Sequence, residues 1–136
     1  MKTISILSVV DVVGALADDN LSGNVHLMDN NKANGSHDQG TESLKTVVKK
    51  GDNLVWTTLP LECEAYASIE GVLIDKDYCD PQQATYKDTA ITYWSGTVKR
   101  NLNGAAIPYR LKFQVGNRLE LMSTSATPYL VGNRET

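Results

Sequence analysis

The chain has 136 residues, a formal charge of −3 and 41% hydrophobic residues, which suits one folded domain able to bury roughly two-thirds of its unfolded surface. The negative balance excludes a nucleic-acid binder built on a basic face, and no apolar run approaches the roughly 18 residues of a membrane span. Two cysteines, Cys63 and Cys79, are too few to form a disulfide framework.

Taken in order, Thr3 to Val10 reads as a first strand, and its near-continuous apolarity predicts burial on both faces. The basic start at Lys2, the apolar run and Ala15-Leu16-Ala17 imitate a signal peptide, but Asp11 interrupts the run. Asp11 to Ala17 instead suits a short helical turn with Asp11 as its cap. Asn24 to Met28 is a second strand, and Asp29 to Glu42 a polar loop of the length that often carries function. Leu44 to Leu59 reads as a hairpin. Leu44, Thr46 and Val48 alternate with Lys45, Val47 and Lys49, Gly51-Asp52-Asn53 supplies the turn, and Leu54, Trp56 and Thr58 return. Gly51, Asp52 and Trp56 are therefore assigned structural roles, Trp56 in the core.

Glu62 to Asp75 resumes alternation, with Cys63, Ala65, Ala67 and Ile69 on one side and Glu62, Glu64, Tyr66 and Ser68 on the other. This pattern predicts a buried free thiol at Cys63 and a bulge at Glu70-Gly71. Asp75 to Thr89 is a second long loop, and Ile91 to Arg100 a strand. Asn103-Gly104 is a turn signal before Ile107 to Val115. Arg118 to Met122 and Tyr129 to Val131 are weaker strands. About eight short strands and at most one short helix predict an all-β fold: a single-domain antiparallel β-sandwich, jelly-roll-like, over residues 1–136.

The candidate chemistry is sparse. The Val48 to Trp56 phrase resembles the lysine-glycine-aspartate turn of cupredoxins, but a copper site needs two histidines and a cysteine in an order that His26, His37, Cys63 and Cys79 do not supply. A serine-nucleophile elbow and a phosphate loop are both missing. Asp75, Asp77 and Asp80 form an oxygen-rich loop of the type that can hold calcium, as does the Asp29 to Asp38 stretch. Glu62 and Glu64, two apart on one predicted strand, share a face and are the pair available for acid–base work. With Tyr66 and Trp94 they make the candidate ligand-binding set, the aromatics offering flat surfaces to a sugar. No cofactor is implied.

Several phrases together carry a family resemblance. Ile4-Ser5-Ile6-Leu7-Ser8-Val9-Val10-Asp11, Val48 to Trp56, Leu59-Pro60-Leu61-Glu62-Cys63-Glu64-Ala65-Tyr66 and Tyr93-Trp94-Ser95-Gly96-Thr97-Val98 resemble the AidA/PixA family of bacterial inclusion-body proteins. The resemblance implies a one-domain sandwich in the cytoplasm, in inclusions, with quorum-controlled expression and a part in host interaction or virulence; release without a cleaved signal peptide stays open. It transfers no enzymatic residues. The three methionines here differ from methionine-rich inclusion members. The resulting expectation is a non-enzymatic protein acting by self-association as a homo-oligomer, or by binding a host protein or glycan. Strand edges would pair subunits, and the loops Asp29–Glu42 and Asp75–Thr89 would face a partner. The alternatives are a lectin-like module, calcium-assisted, and a hydrolase using Glu62 and Glu64.

Overall fold

The computed structural model describes residues 2–124 and 126–132. It is an all-β molecule of two stacked sheets. The first sheet runs β2 (Val25–Asp29), β1 (Thr3–Val10), β4 (Asn53–Pro60), β7 (Thr92–Thr97) and β6 (Gln82–Thr85). The second runs β3 (Lys45–Val48), β10 (Tyr129–Gly132), β8 (Ala106–Val115) and β5 (Ala67–Ile74), with β9 (Met122–Ser123) paired to β8. One short helix, α1 (Val12–Asp18), follows β1. As predicted, Asp11 caps it by accepting the Gly14 N–H at 2.9 Å. A side chain at position 14 would displace its neighbours, because a Cβ there would lie 2.4 Å from Asn24 Oδ1 and 2.8 Å from Asp11 Oδ2.

The inward face of each sheet builds one core. Ile4, Ile6, Leu54 and Trp56 of the first sheet meet Leu111, Phe113 and Leu130 of the second. The Trp56 and Tyr109 rings touch edge to face across the interface, with centroids 5.6 Å apart, a favoured arrangement of aromatic quadrupoles. Burial holds the Tyr109 phenol well above its usual range. Trp94 Nε1 donates to the Ile69 carbonyl at 2.8 Å, tying β7 to β5 between the sheets.

Several expectations are corrected. Leu44 to Leu59 does hold two strands, and Leu44, Thr46, Val48, Leu54 and Trp56 are all buried, but they do not form a hairpin. β3 lies in the second sheet and β4 in the first. Period-two alternation says which side chains point inward; it does not say which sheet they come from. The turn is held by other parts of the chain. Gly51 takes a φ of 93°, and Asp52 Oδ2 accepts the Lys49 N–H at 2.9 Å. Gly51 N–H donates to Val98 O, and Val98 N–H to Asp52 O, each at 2.8 Å. Within the first sheet β4 lies parallel to β1, with Ile6 beside Trp56. β10 is likewise parallel to β3. The sandwich is therefore mixed, where a wholly antiparallel one was expected.

β1 is buried on its core face only. Ile4, Ile6, Ser8 and Val10 are buried, while Leu7 and Val9 on the other face are half-buried. The predicted strand from Glu62 begins only at Ala67; Glu64 takes a positive φ of 67°, which breaks any strand there. Cys63 is consequently exposed, and the buried free thiol is Cys79. The bulge is present, as a register shift between Ile69 and Gly71. The second long loop contains β6, an edge strand. The weak Tyr129 strand is an interior one, flanked by β3 and β8.

Candidate functional site

A cleft lies at one end of the sandwich, where the end of β4 and the start of β7 face the start of β5. It encloses ≈ 270 Å³ and is lined by residues including Thr58, Leu59, Tyr66, Ala67, Ser68 and Ile91. None of its lining residues is an aspartate, glutamate, histidine, lysine or arginine. Two of its polar side chains are already engaged: Thr58 Oγ1 donates to Ser8 O at 3.0 Å, and Ser68 Oγ to Glu70 Oε1 at 2.7 Å. The cleft therefore offers apolar surface and a tyrosine. Leu59, Leu61, Tyr66 and Ile91, in or beside it, stand 56%, 61%, 55% and 62% exposed. A concentration of large apolar side chains left in water marks a contact surface.

Of the residues expected at a site, Tyr66 lines this cleft and Trp94 does not. Trp94 is half-buried against the core, with its N–H committed to Ile69. Glu62 and Glu64 leave the chain from the loop before β5, so the shared strand face that motivated an acid–base pair is not formed. Glu62 has a structural task. Its Oε1 accepts the Val12 N–H at 2.9 Å and its Oε2 the Val13 N–H at 3.2 Å. It thus satisfies two of the N–H groups that every helix start leaves without an intrahelical partner. A hydrogen bond with the Glu62 carboxyl, and then the Gly14 N–H, hold the Asp11 carboxyl below the usual carboxylate range. The two acids form a joint cap on α1.

Asp75, Asp77 and Asp80 are not drawn together. Asp75 Oδ1 accepts the Asp77 N–H at 2.9 Å, a local turn, and Asp80 Oδ1 accepts from Gln82 Nε2 at 3.3 Å. Among the described residues no group of three or more histidines, cysteines, aspartates or glutamates is placed to hold a metal ion. The Asp29–Glu42 loop turns much of its polarity inward. Asp29 accepts from Thr46 Oγ1 at 2.8 Å and from the Asn31 N–H at 2.9 Å, and Asn31 Nδ2 donates to Val47 O at 2.6 Å. The Lys45 ammonium of β3, 3.0 Å away, holds the carboxyl of Asp38 in this loop below its usual range.

Leu59, Leu61 and Ile91 were not singled out from the sequence. The available signal was Leu59-Pro60-Leu61, an apolar pair around a proline at a strand end, where alternation fails and nothing remains to cover the side chains.

Residues 2–120 match a family described as a domain of unknown function, DUF8788. No curated protein sequence matches the chain. Among solved structures, that of the PixA inclusion body protein from Burkholderia cenocepacia J2315 is similar, with a TM-score of 0.65 over 97% of this chain and 94% of that one, at 13% identity. At that identity the likeness speaks to the fold, and it agrees with the PixA-like sandwich that the sequence phrases suggest.

Proposed function

We propose that the chain, which belongs to the DUF8788 family, works without catalysis, by reversible association with further copies of itself. The observation that supports this most directly is the exposed apolar set Leu59, Leu61, Tyr66 and Ile91 at an uncharged cleft. Covering such surface is favourable by about 25 cal/mol per Å², and a second protein surface supplies the cover without a reactive group. The fold shared with an inclusion body protein is consistent with packing at high local concentration, and cytoplasmic inclusions are the setting we assign to it. No helix of the described residues is long and apolar enough to cross a membrane.

Light scattering tests the reading. The native chain is expected to gain mass between micromolar and millimolar concentration. Leu61→Asp with Ile91→Asp, two exposed positions whose replacement leaves the core intact, is expected to reduce that gain. A native chain that stays monomeric across the range would refute the proposal.

A further inference from the structure

The two sheets have four outer edges, and they are not treated alike. The β2 edge is covered by its own loop: Leu27 N–H donates to Thr41 O at 3.2 Å, Gly40 N–H to Leu27 O at 2.7 Å, and Asp29 N–H to Gln39 Oε1 at 2.9 Å. The β3 edge is covered by the same loop, through mutual bonds between His37 and Lys45 at 3.0 Å and the Val47 N–H to Ser36 Oγ at 2.9 Å. The β5 edge is interrupted by its bulge at Glu70. Covers and bulges are the usual means of keeping a sheet edge from pairing with another chain.

β6 has neither. Its sequence, Gln82-Gln83-Ala84-Thr85, holds no charge and no proline. Its inner edge is paired with β7, where the register sets Gln83 opposite Trp94 and Thr85 opposite Thr92. Tyr86 N–H donates to Ile91 O at 2.9 Å, which makes 86 and 91 a hydrogen-bonded pair. Antiparallel pairs alternate between bonded and unbonded, so the main-chain groups of Gln82 and Ala84 also face β7. Those of Gln83 and Thr85 face outward. Among the described residues no hydrogen bond reaches them from another part of the chain, and Gln82, Gln83 and Thr85 are exposed.

We propose that this edge is where two copies of the chain pair, antiparallel about a two-fold axis at Ala84, so that their first sheets join into one. The inference rests on the self-association reading above and adds a second contact surface to the apolar cleft. Symmetry selects the register. A two-fold axis perpendicular to a sheet must pass through a residue that faces itself, because bonded and unbonded pairs alternate. Centred on Gln83, the pairing would set Thr85 against Pro81, which has no N–H to give. Centred on Ala84, Gln83 of one copy faces Thr85 of the other at both ends, and all four outward N–H and C=O pairs are used. Ala84 then meets its own copy in an unbonded pair, where strands approach most closely, and its methyl side chain leaves room. The pairing adds few bonds, so it is reversible and driven by concentration.

Sedimentation velocity on four samples tests this: the native chain, Gln83→Lys/Thr85→Lys, Gln83→Glu/Thr85→Glu, and an equimolar mixture of the two variants. The native chain is expected to double in mass with rising concentration. Each variant alone is expected to associate less than the native chain, since its like charges would face each other, and the mixture is expected to recover the native association. Variants that associate like the native chain would overturn the β6 edge while leaving self-association standing. A native monomer throughout would overturn both, and a mixture that associates no better than either variant alone would overturn the two-fold pairing. If a variant fails to fold, hydrogen exchange on the native chain decides. Gln83 and Thr85 amides are expected to slow in proportion to the dimer fraction, and exchange independent of concentration would overturn the proposal.

Discussion

Gly96→Ala probes how β6 is delivered to the sheet. Gly96 sits on β7 opposite Leu54 of β4, and the segment leading into β6 crosses directly over it. A Cβ at this position would lie 2.7 Å from Cys79 Sγ, 3.1 Å from Pro81 Cα and 3.3 Å from Pro81 N. Cys79 is fully buried and Pro81 is buried too, so neither can swing into solvent. The thiol could turn away at some cost in packing, but the proline main chain could move only by displacing the start of β6. Overpacking of this kind costs about 1–3 kcal/mol, which for a domain of this size lowers the melting temperature by roughly 3–10 °C. Urea titration of Gly96→Ala, Cys79→Ala and the double variant separates the two contacts. Removing the thiol is expected to recover only part of the loss, because the Pro81 contact persists. A Gly96→Ala protein within about 0.5 kcal/mol of the native chain, the scatter of ordinary surface substitutions, would refute this reasoning.

The other expectations are simpler. Trp94→Phe keeps the ring and removes the N–H that reaches Ile69 O, so urea titration should show a loss of about 1–2 kcal/mol; no change would mean that the inter-sheet bond contributes nothing. Glu62→Ala removes the acceptor of the Val12 and Val13 N–H groups and should cost about 1 kcal/mol, as other cap deletions do, with amide exchange faster in α1 than elsewhere. Asp11 and Asp38 are both held below the ordinary aspartate value of about 3.9. Their contribution to stability is therefore present above that pH and fades as the pH falls through their lowered folded values. Asp11→Asn and Asp38→Asn should each flatten the acid limb of a melting-temperature profile, and an unchanged limb would contradict the assignment. Burial pushes the Cys79 thiol up to about 11, whereas Cys63 is exposed. A thiol reagent at neutral pH should modify one cysteine per native chain quickly and the second only on unfolding; two equally fast thiols would contradict the placement.

Alternation along the chain carried the fold class and much of the core. Ile4, Ile6, Leu54, Trp56, Leu111 and Phe113 are buried because period-two spacing puts them on one side of a strand. The Asp11 cap and the Glu70 bulge were readable because each depends on local chemistry. Sheet membership was not readable. Whether β3 pairs with β4 or faces it across the core depends on contacts to β10 and Val98, far away in sequence. The Glu62–Glu64 spacing misled because the backbone turns at Glu64, and the pull on Glu62 comes from a helix start fifty residues earlier. The apolar cleft escaped notice because its walls come from three separated segments, each ordinary by itself. β6 was hidden inside a polar stretch, since an edge strand exposed on most of its surface has little apolar residue pattern to show.

Sedimentation equilibrium of the native chain, from micromolar to millimolar concentration without added ligand, is the most direct measure of whether this protein acts through its own copies. The account requires a weight-average mass that climbs reversibly from that of one chain to at least that of two, and falls back on dilution. A single-chain mass at every concentration would contradict it.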